Sequence, residues 1–190
     1  MQLLLGCGGK REKRLVGPGG AEWRDLVTLD LEPRHVPDVL HDLDNLPLPF
    51  ADDSADEIHA YHVLEHCGRQ GGWRFFFLCV RLGVWRFCCA QWSDFWRILQ
   101  PGGLFFGIVP HWQSVWAWGD PSHTRLVMAE HLTFLSQPEY DSQVGQTAMS
   151  DYRGVYRADF DIIHMAEAGG EFCFALRAVK PSRISVPCPS

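Results

Sequence analysis

Residues that suit a small-molecule ligand stand at the ends of three successive apolar segments. The first segment, residues 3–5, runs into Gly6-Cys7-Gly8-Gly9, and glycines there let the backbone turn tightly and come close to a ligand. Asp30 closes the second segment and Asp42 the third. An acid at the second position takes ribose hydroxyls in open α/β folds, and a short acid at the third can accept from an exocyclic amine. The pattern indicates a nucleotide-type ligand, although Arg11 replaces the third glycine of a dinucleotide fingerprint.

A parallel α/β sheet would bring these residues together. Apolar segments that end in glycine, carboxylate or histidine alternate with crossovers, which favours parallel strands. Ligands of such sheets bind beyond the carboxyl ends of the strands, where the polar residues stand here. Residues 161–167 and 171–180 are joined by Ala168-Gly169-Gly170, which predicts a terminal β-hairpin. The other predicted strand segments are residues 3–9, 27–30, 39–42, 56–62 and 98–106.

Length and composition are those of one globular domain. The chain has 190 residues, of which 46% are apolar and 21% charged. A chain of this size and composition can form a hydrophobic core that is stable without disulfide bonds or a structural metal. We assign residues 1–180 to this domain and residues 181–190 to a flexible tail. A net charge of −6 disfavours nonspecific binding to nucleic acid or anionic membranes. Seven cysteines without a C-x-x-C pair, and no apparent leader, predict reduced thiols and a cytoplasmic protein.

The ordered motifs resemble those of class I S-adenosylmethionine-dependent methyltransferases over nearly the whole stretch from residue 3 to residue 180. They are especially similar to the small-molecule-type subgroup, which includes phage-borne members. The resemblance implies an α/β fold with a Rossmann-like, seven-stranded, mostly parallel sheet flanked by helices, an antiparallel last strand and a central first strand. The segments that carry it are Leu-Leu-Leu-Gly-Cys-Gly-Gly, Thr-Leu-Asp-Leu, His-Asp-Leu-Asp-Asn-Leu-Pro-Leu-Pro-Phe, His-Val-Leu-Glu-His and Trp-Arg-Ile-Leu-Gln-Pro-Gly-Gly.

The same resemblance implies S-adenosyl-L-methionine as the cofactor and assigns a site to each of its parts. The glycine turn would cradle the methionine part, and the acid after the second strand would hold the ribose hydroxyls. The acid and leucine after the third strand would contact the adenine, and a histidine after the fourth strand would form the wall near the sulfonium. The implied cofactor-binding residues are Gly6, Cys7, Gly8, Asp30, Leu31, Asp42, Leu43 and His62.

Three features depart from the family's pattern. Leu4 stands where an acid usually precedes the glycine turn. Residues 10–20, a basic run followed by Gly17-Pro18-Gly19-Gly20, predict a loop in place of the usual first crossover helix, and we expect the basic run to be a solvated face. The apolar block 75–89 interrupts a predicted helix, and we interpret residues 78–89 as an insertion. The block is too short to span a bilayer and would be buried, covered by a partner or laid on a surface.

His62-Val63-Leu64-Glu65-His66 also fits a zinc motif in which two histidines one helical turn apart bind the metal and the glutamate is a general base. That motif works only on a helix, whereas the strand pattern of residues 57–61 runs directly into His62. We therefore predict no metal site and keep a zinc hydrolase as one alternative. A non-catalytic binding module with a methyltransferase-like fold is the second alternative, and Leu4 favours it.

The aromatic and polar stretch 112–124 follows the fifth strand, and Asp-Pro-Ser-His-Thr-Arg at its end resembles a segment that lies beside the open side of the cofactor pocket in the same subgroup. Its tryptophans either stack a flat or saccharide-like small molecule or pack among themselves. Because a sulfonium methyl is already electrophilic, the predicted reaction is in-line methyl transfer to a positioned acceptor. A nucleic-acid acceptor is not favoured, since no Asp/Asn-Pro-Pro-Tyr follows the fourth strand and Pro187-Cys188 lies in the tail. The candidate catalytic residues, should the acceptor need to lose a proton, are Glu65, His111, Asp120 and His123.

Overall fold

The computed structural model describes residues 1–68 and 84–185, and seven strands in this part of the chain form one sheet. Strands β1 to β4 are Gln2–Leu5, Leu26–Asp30, Val39–Leu40 and Ala55–Tyr61. Strands β5 to β7 are Leu99–Pro110, Phe160–Ala168 and Glu171–Ala178. Their order across the sheet is β3-β2-β1-β4-β5-β7-β6.

The pairing makes the sheet mostly parallel. β1 lies inside the sheet between β2 and β4, both parallel to it, and β5 extends the parallel part beside β4. β7 pairs antiparallel with both β5 and β6. Leu3, Leu4 and Leu5 are all buried, as expected for a parallel strand covered on both faces. The predicted Rossmann-like sheet, the interior first strand and the terminal hairpin are confirmed.

Helix α1, Val84–Ile98, leads directly into β5 and packs on the sheet. Trp92, Phe95 and Ile98 recur at helical spacing and are buried. The ring centroid of Phe105 on β5 lies 4.9 Å from that of Trp92 and 5.1 Å from that of Phe95. Three short helices follow: α2 (Val115–Gly119), α3 (Ala129–Thr133) and α4 (Gln137–Gln143). Of the helices in the described ranges, none combines the length and apolar character that a membrane crossing requires.

The contact between β5 and β7 is close enough to require a glycine. Gly107 on β5 stands opposite Phe174 on β7. A Cβ added to Gly107 would lie 2.5 Å from Cε1 of the Phe174 ring, well inside van der Waals contact. The phenyl ring therefore fills the space that a side chain at residue 107 would occupy, and it joins the aromatic core under α1 through Phe105.

Residues 6–25 contain no helix, which confirms the predicted loop between β1 and β2. This loop is fixed on the sheet by buried polar groups. Nζ of Lys13 lies 2.7 Å from a carboxylate oxygen of Glu57, and both side chains are almost fully buried. The same carboxylate accepts from Nε2 of His59 and from the Gln2 amide. The expectation that the basic run forms a solvated face is therefore wrong for Lys13, since the missing helix leaves a sheet face that this side chain covers.

The tail predicted from residue 181 is held in place as far as the structure describes it. The guanidinium of Arg183 binds the fully buried carboxylate of Asp159 at 2.7 Å, and the Ser185 hydroxyl donates to Asp141. Residues 181–185 are thus held against the domain by these contacts, and residues 186–190 lie outside the described chain. The start of the predicted 78–89 insertion, and most of the 75–89 surface, also lie outside it. Cys89 is buried in α1, and the insertion stays a prediction.

Candidate functional site

The glycine turn after β1 is built on two residues with left-handed backbone. Gly6 and Gly8 have φ of 60° and 53°, which glycine adopts without steric penalty. A Cβ on Gly6 would also lie 2.7 Å from Cβ of Val63. A Cβ on Gly8 or Gly9 would meet nothing within 4 Å, so open space lies over the turn. This turn and Leu4 line a cavity of about 280 Å³ beyond the carboxyl ends of β1 and β4.

Cys7 and Asp30 lie beneath the turn. Burial raises the pKa of the Cys7 thiol, and the Asp30 carboxylate adds to this effect. Cys7 also lines the 280 Å³ cavity, and its contact with a cofactor stays a prediction. Asp30 accepts from the backbone N–H of Gly8 at 2.9 Å and from that of Glu32 at 2.8 Å. Burial raises the pKa of Asp30, but these two N–H groups and the neighbouring His35 together lower it, so that it lies below its usual value. Asp30 is therefore a carboxylate that positions the turn, and its contact with a ribose stays a prediction.

The residues predicted to hold the adenine lie at the end of β3, beside Asp30. The N–H of His41 donates to the Asp30 carbonyl at 2.9 Å, which fixes this juxtaposition. Asp42 is half-buried and accepts from the backbone of Asp44, and Leu43 is buried. Leu31 is 46% exposed. None of Asp30, Leu31, Asp42 and Leu43 lines the 280 Å³ cavity, so a ligand reaching them would have to extend from the cavity across the end of β2.

His62 separates the glycine-turn cavity from a second one. It has φ of 51°, a conformation uncommon outside glycine that is found at functional sites. Its Nε2–H donates to Glu171 at 2.7 Å, and its Nδ1 lies 3.4 Å from a Glu65 oxygen, a charge contact rather than a hydrogen bond. Glu65 raises the pKa of His62, burial opposes this, and the bond to Glu171 raises it further, to a net value above the usual one. Glu171 also binds the Arg14 guanidinium at 2.8 Å.

The second cavity has a volume of about 360 Å³. It brings together three of the four candidate catalytic residues, Glu65, Asp120 and His123, with His62. The fourth, His111, does not line it and instead lies 3.2 Å from the carboxylate of Glu167 on the hairpin. The structure therefore gathers a polar cluster on the far side of His62 from the glycine turn.

The tryptophans of the 112–124 stretch are exposed and not packed in the core. Trp112, Trp116 and Trp118 are 43%, 71% and 69% exposed, and Trp116 lines the cavity. The indole N–H of Trp118 donates to the carbonyl of Trp112 at 2.7 Å. Exposed rings can stack a flat or sugar-like molecule, and such a role for this stretch stays a prediction.

The helical zinc motif is not formed. β4 ends at Tyr61, His62 has left-handed backbone, and only a three-residue 3₁₀ turn, Leu64–His66, follows. His62 and His66 therefore do not stand one α-helical turn apart. The structure instead brings His66 beside His123, with ring centroids 4.7 Å apart.

Two residues of this region were missed by sequence reasoning. Glu171 opens β7 and lines the second cavity, where it binds both His62 and Arg14. Ser122 lies between His66 and Asp120 and bonds to both. Ser122 stood within the aromatic and polar stretch and could have been found there. Glu171 had no such signal, because it reaches the site only through the antiparallel return of the hairpin.

Comparison with solved structures defines the fold class. A S-adenosylmethionine-dependent methyltransferase from Archaeoglobus fulgidus is 12% identical, with 93% of this chain and 85% of that chain covered and a TM-score of 0.52. The N-methyltransferase NodS from Bradyrhizobium japonicum WM9 is 12% identical, with 94% and 85% covered and a TM-score of 0.53. The described chain thus has the Rossmann-like fold of class I S-adenosylmethionine-dependent methyltransferases.

The fold does not by itself fix the reaction. The [4+2]-cyclase SpnF matches with a TM-score of 0.54 and 12% identity, covering 94% of this chain and 74% of that chain. No protein-family model and no curated protein sequence matches the chain. Function therefore has to be argued from the site.

Proposed function

We propose that this protein is an S-adenosylmethionine-dependent methyltransferase that acts on a small-molecule acceptor. The observation that carries the proposal is the pair of cavities that share His62. One is lined by the glycine turn and the other by polar and aromatic side chains. A donor in the first and an acceptor in the second would meet at this single residue.

The residues around the glycine turn suit the methionine part of the cofactor. Open space over Gly8 and Gly9 leaves room for a ligand against the backbone. Lys10, Glu12 and Arg14 also line this cavity, so that both charged groups of an amino acid would find a partner. The Glu12 carboxylate would replace the acid that usually stands at the position of Leu4. The ribose and adenine would follow the ends of β2 and β3, at Asp30 and Asp42.

The chain's own task in the reaction is positioning. When bound, S-adenosylmethionine supplies an electrophilic methyl group. Trp116 would stack the acceptor, and the polar side chains of the second cavity would orient it toward His62. Glu65 and Asp120 are the groups there that could take a proton from an acceptor. The acidic chain and the exposed tryptophans support a neutral or cationic small molecule, saccharide-like molecules included, over nucleic acid. A cytoplasmic location stays a prediction from the cysteine content.

Calorimetry with S-adenosylmethionine and S-adenosylhomocysteine tests the proposal. We expect one site per chain and weaker binding of adenosine, which lacks the part that the glycine turn would hold. The variant Glu12→Gln should weaken the two amino-acid-bearing ligands and leave adenosine unchanged. A screen of metabolite pools with methyl-labelled cofactor would then identify the acceptor. Failure of the wild-type protein to bind either compound would reject the proposal.

The alternative of a non-catalytic binding module has two observations in its favour. Leu4 is buried where an acid is usual, and no helix begins at the glycine turn, so that the turn lacks the favourable field of a helix N-terminus. Cofactor binding without any methylated product in the screen would support this alternative.

A further inference from the structure

We propose that Glu65, His66 and His123 form a binding site for a divalent transition-metal ion, with zinc the best match. The site lies in the wall of the 360 Å³ cavity. It differs from the helical zinc motif considered from the sequence, because His123 takes the place of His62 and comes from a separate loop.

The three side chains already converge. One ligand atom from each lies within 4.8 Å of the others. Zinc binds imidazole nitrogen and carboxylate oxygen at about 2.0–2.2 Å, so ligand atoms in a tetrahedral site lie about 3.3 Å apart. The cluster would have to contract by at most about 1.5 Å to reach this spacing.

Glu65 lacks the partners that a buried carboxylate requires. The residue is 3% exposed, and neither of its carboxylate oxygens accepts a hydrogen bond from any residue in the described ranges. Nδ1 of His62 lies 3.4 Å from one of these oxygens. An ionised carboxylate without hydrogen bonds is costly to bury, and a cation held at this position would remove that penalty.

Nδ1 of each histidine has a hydrogen-bond partner that fixes the orientation of the ring, as is usual for metal-bound histidines. Ser122 donates its hydroxyl hydrogen to the Asp120 carboxylate at 2.6 Å, so Nδ1 of His66, 3.0 Å from the same hydroxyl oxygen, has to be the donor to it. Nδ1 of His123 lies 3.3 Å from the carbonyl of Ala117, which can only accept. In each neutral ring the proton is thereby placed on Nδ1, which is the tautomer that a metal bound at Nε2 requires.

The two segments that carry the ligands are joined by hydrogen bonds. The backbone N–H of Thr124 donates to the carbonyl of Glu65 at 2.8 Å, and the Thr124 hydroxyl lies against the carbonyls of Cys67 and Glu65. The guanidinium of Arg125 donates to the carbonyl of Leu64 at 2.7 Å and to Gln91 of α1 at 2.5 Å. The 3₁₀ turn and the loop are thus held as one unit, which limits the entropy lost when a metal binds.

The donor set selects the metal. Two imidazoles and one carboxylate suit zinc and its transition-metal neighbours, whereas magnesium and calcium prefer oxygen ligands alone. Three protein ligands leave a fourth position for a ligand from the cavity. An oxygen or nitrogen of a methyl acceptor could bind there, a consequence that rests on the proposed function; the metal site itself does not.

Metal titration of the purified full chain, first treated with a chelator, tests this site. We expect one Zn²⁺ per chain by calorimetry, and a Co²⁺ spectrum of a nitrogen- and oxygen-ligated ion without thiolate charge-transfer bands. The variant His123→Asn should lower the Zn²⁺ affinity by at least about 100-fold, and Ser122→Ala, which removes the support behind His66, by about 10-fold. The matched control is His164→Asn, since His164 is exposed on the edge strand β6, and it should bind Zn²⁺ like the parent.

Thiolate bands, the lack of a stoichiometric site, or unchanged affinity in His123→Asn would each overturn the proposal. Circular dichroism of each variant checks the fold, and if His123→Asn unfolds, unchanged affinity in Ser122→Ala overturns it instead. Titration with S-adenosylmethionine in the presence of a chelator measures cofactor binding without metal, and so tests the proposed function independently of the metal site. His123 does not line the glycine-turn cavity, so His123→Asn should bind the cofactor like the parent.

Discussion

The carboxylate of Asp30 accepts a hydrogen bond from the backbone N–H of Gly8, 2.9 Å away, and so joins the end of β2 to the glycine turn after β1. The other oxygen of the same carboxylate holds the N–H of Glu32. One side chain thus fixes the relative position of two strand ends at which the cofactor is proposed to bind.

Replacing Asp30 should affect cofactor binding and stability together. We expect Asp30→Ala to weaken S-adenosylmethionine binding by about 1–3 kcal/mol and to lower the free energy of unfolding by a similar amount, because two backbone donors lose a buried acceptor. Asp30→Asn keeps one acceptor oxygen and should lose less of both. Calorimetry and urea unfolding measure the two effects. Parental affinity in Asp30→Ala would remove this residue from the site.

The two glycines of the turn should differ in what they tolerate. Gly6→Ala meets the side chain of Val63 as well as a positive φ, whereas Gly8→Ala meets only the positive φ. The strain at Gly8 should lower the free energy of unfolding by about 1–2 kcal/mol, and the clash at Gly6 should add to that. Urea unfolding gives both values. The double variant Gly6→Ala/Val63→Ala should be more stable than the sum of the single effects predicts, and strict additivity would contradict the packing argument.

His59 should make the protein less stable in acid. Burial lowers the pKa of His59 to about 4 against the opposing effect of Glu57, whereas the unfolded value is near 6.5. Between these values the unfolded chain binds the proton and the folded chain does not. Stability is therefore highest above pH 6.5, and it falls by up to about 3 kcal/mol as the pH approaches 4.

The variant His59→Gln isolates this contribution to the pH dependence. The groups around His59 are Glu57, Tyr61 and Lys13, with the rings of Phe106 and Trp23 on its faces. Urea unfolding at several pH values should show a smaller loss of stability in this variant than in the parent. An identical slope in both proteins would show that His59 does not titrate as its burial requires.

Loss of the buried Lys13–Glu57 ion pair should destabilise the protein more than loss of the exposed Lys10 side chain. Lys13→Met leaves the Glu57 carboxylate without its counter-charge, and loss of one partner of a buried pair costs roughly 3–5 kcal/mol. We expect the lower end of that range, because Gln2 and His59 still donate to Glu57. Lys10→Met, in the same basic run but exposed, should change the free energy of unfolding little. Thermal and urea unfolding compare the two, and equal stability of both variants would contradict the burial of Lys13.

The sequence predicted the sheet because each strand end has a local signature. Glycine at Gly6, the acids at Asp30 and Asp42 and the apolar strands before them are short-range features, and the structure places them at neighbouring strand ends. The burial of Lys13 could not be predicted in this way. A basic run resembles a solvated face unless one knows that the sheet face opposite it has no helix.

The second cavity was predicted only in part, for the same reason. Glu65, Asp120 and His123 were chosen for their chemistry and their position in the chain, and they converge. His111 met the same criteria, yet it pairs with Glu167 on the hairpin. The difference lies in the direction in which each loop leaves its strand, which residue types do not encode. The pairing of His66 with His123 likewise depends on the hydrogen bonds of Thr124 and Arg125 to the 3₁₀ turn.

The position of Glu171 has a consequence for the order in which the site is completed during synthesis. Glu171 binds Arg14, 157 residues earlier in the chain, and His62, 109 residues earlier. β7 also enters the sheet beside β5, which is made long before it. A ribosome-bound chain that ends before residue 171 would carry Arg14 and His62 without the carboxylate that links them. The second cavity would therefore acquire this part of its wall, and His62 its partner, only when the hairpin is made, late in translation.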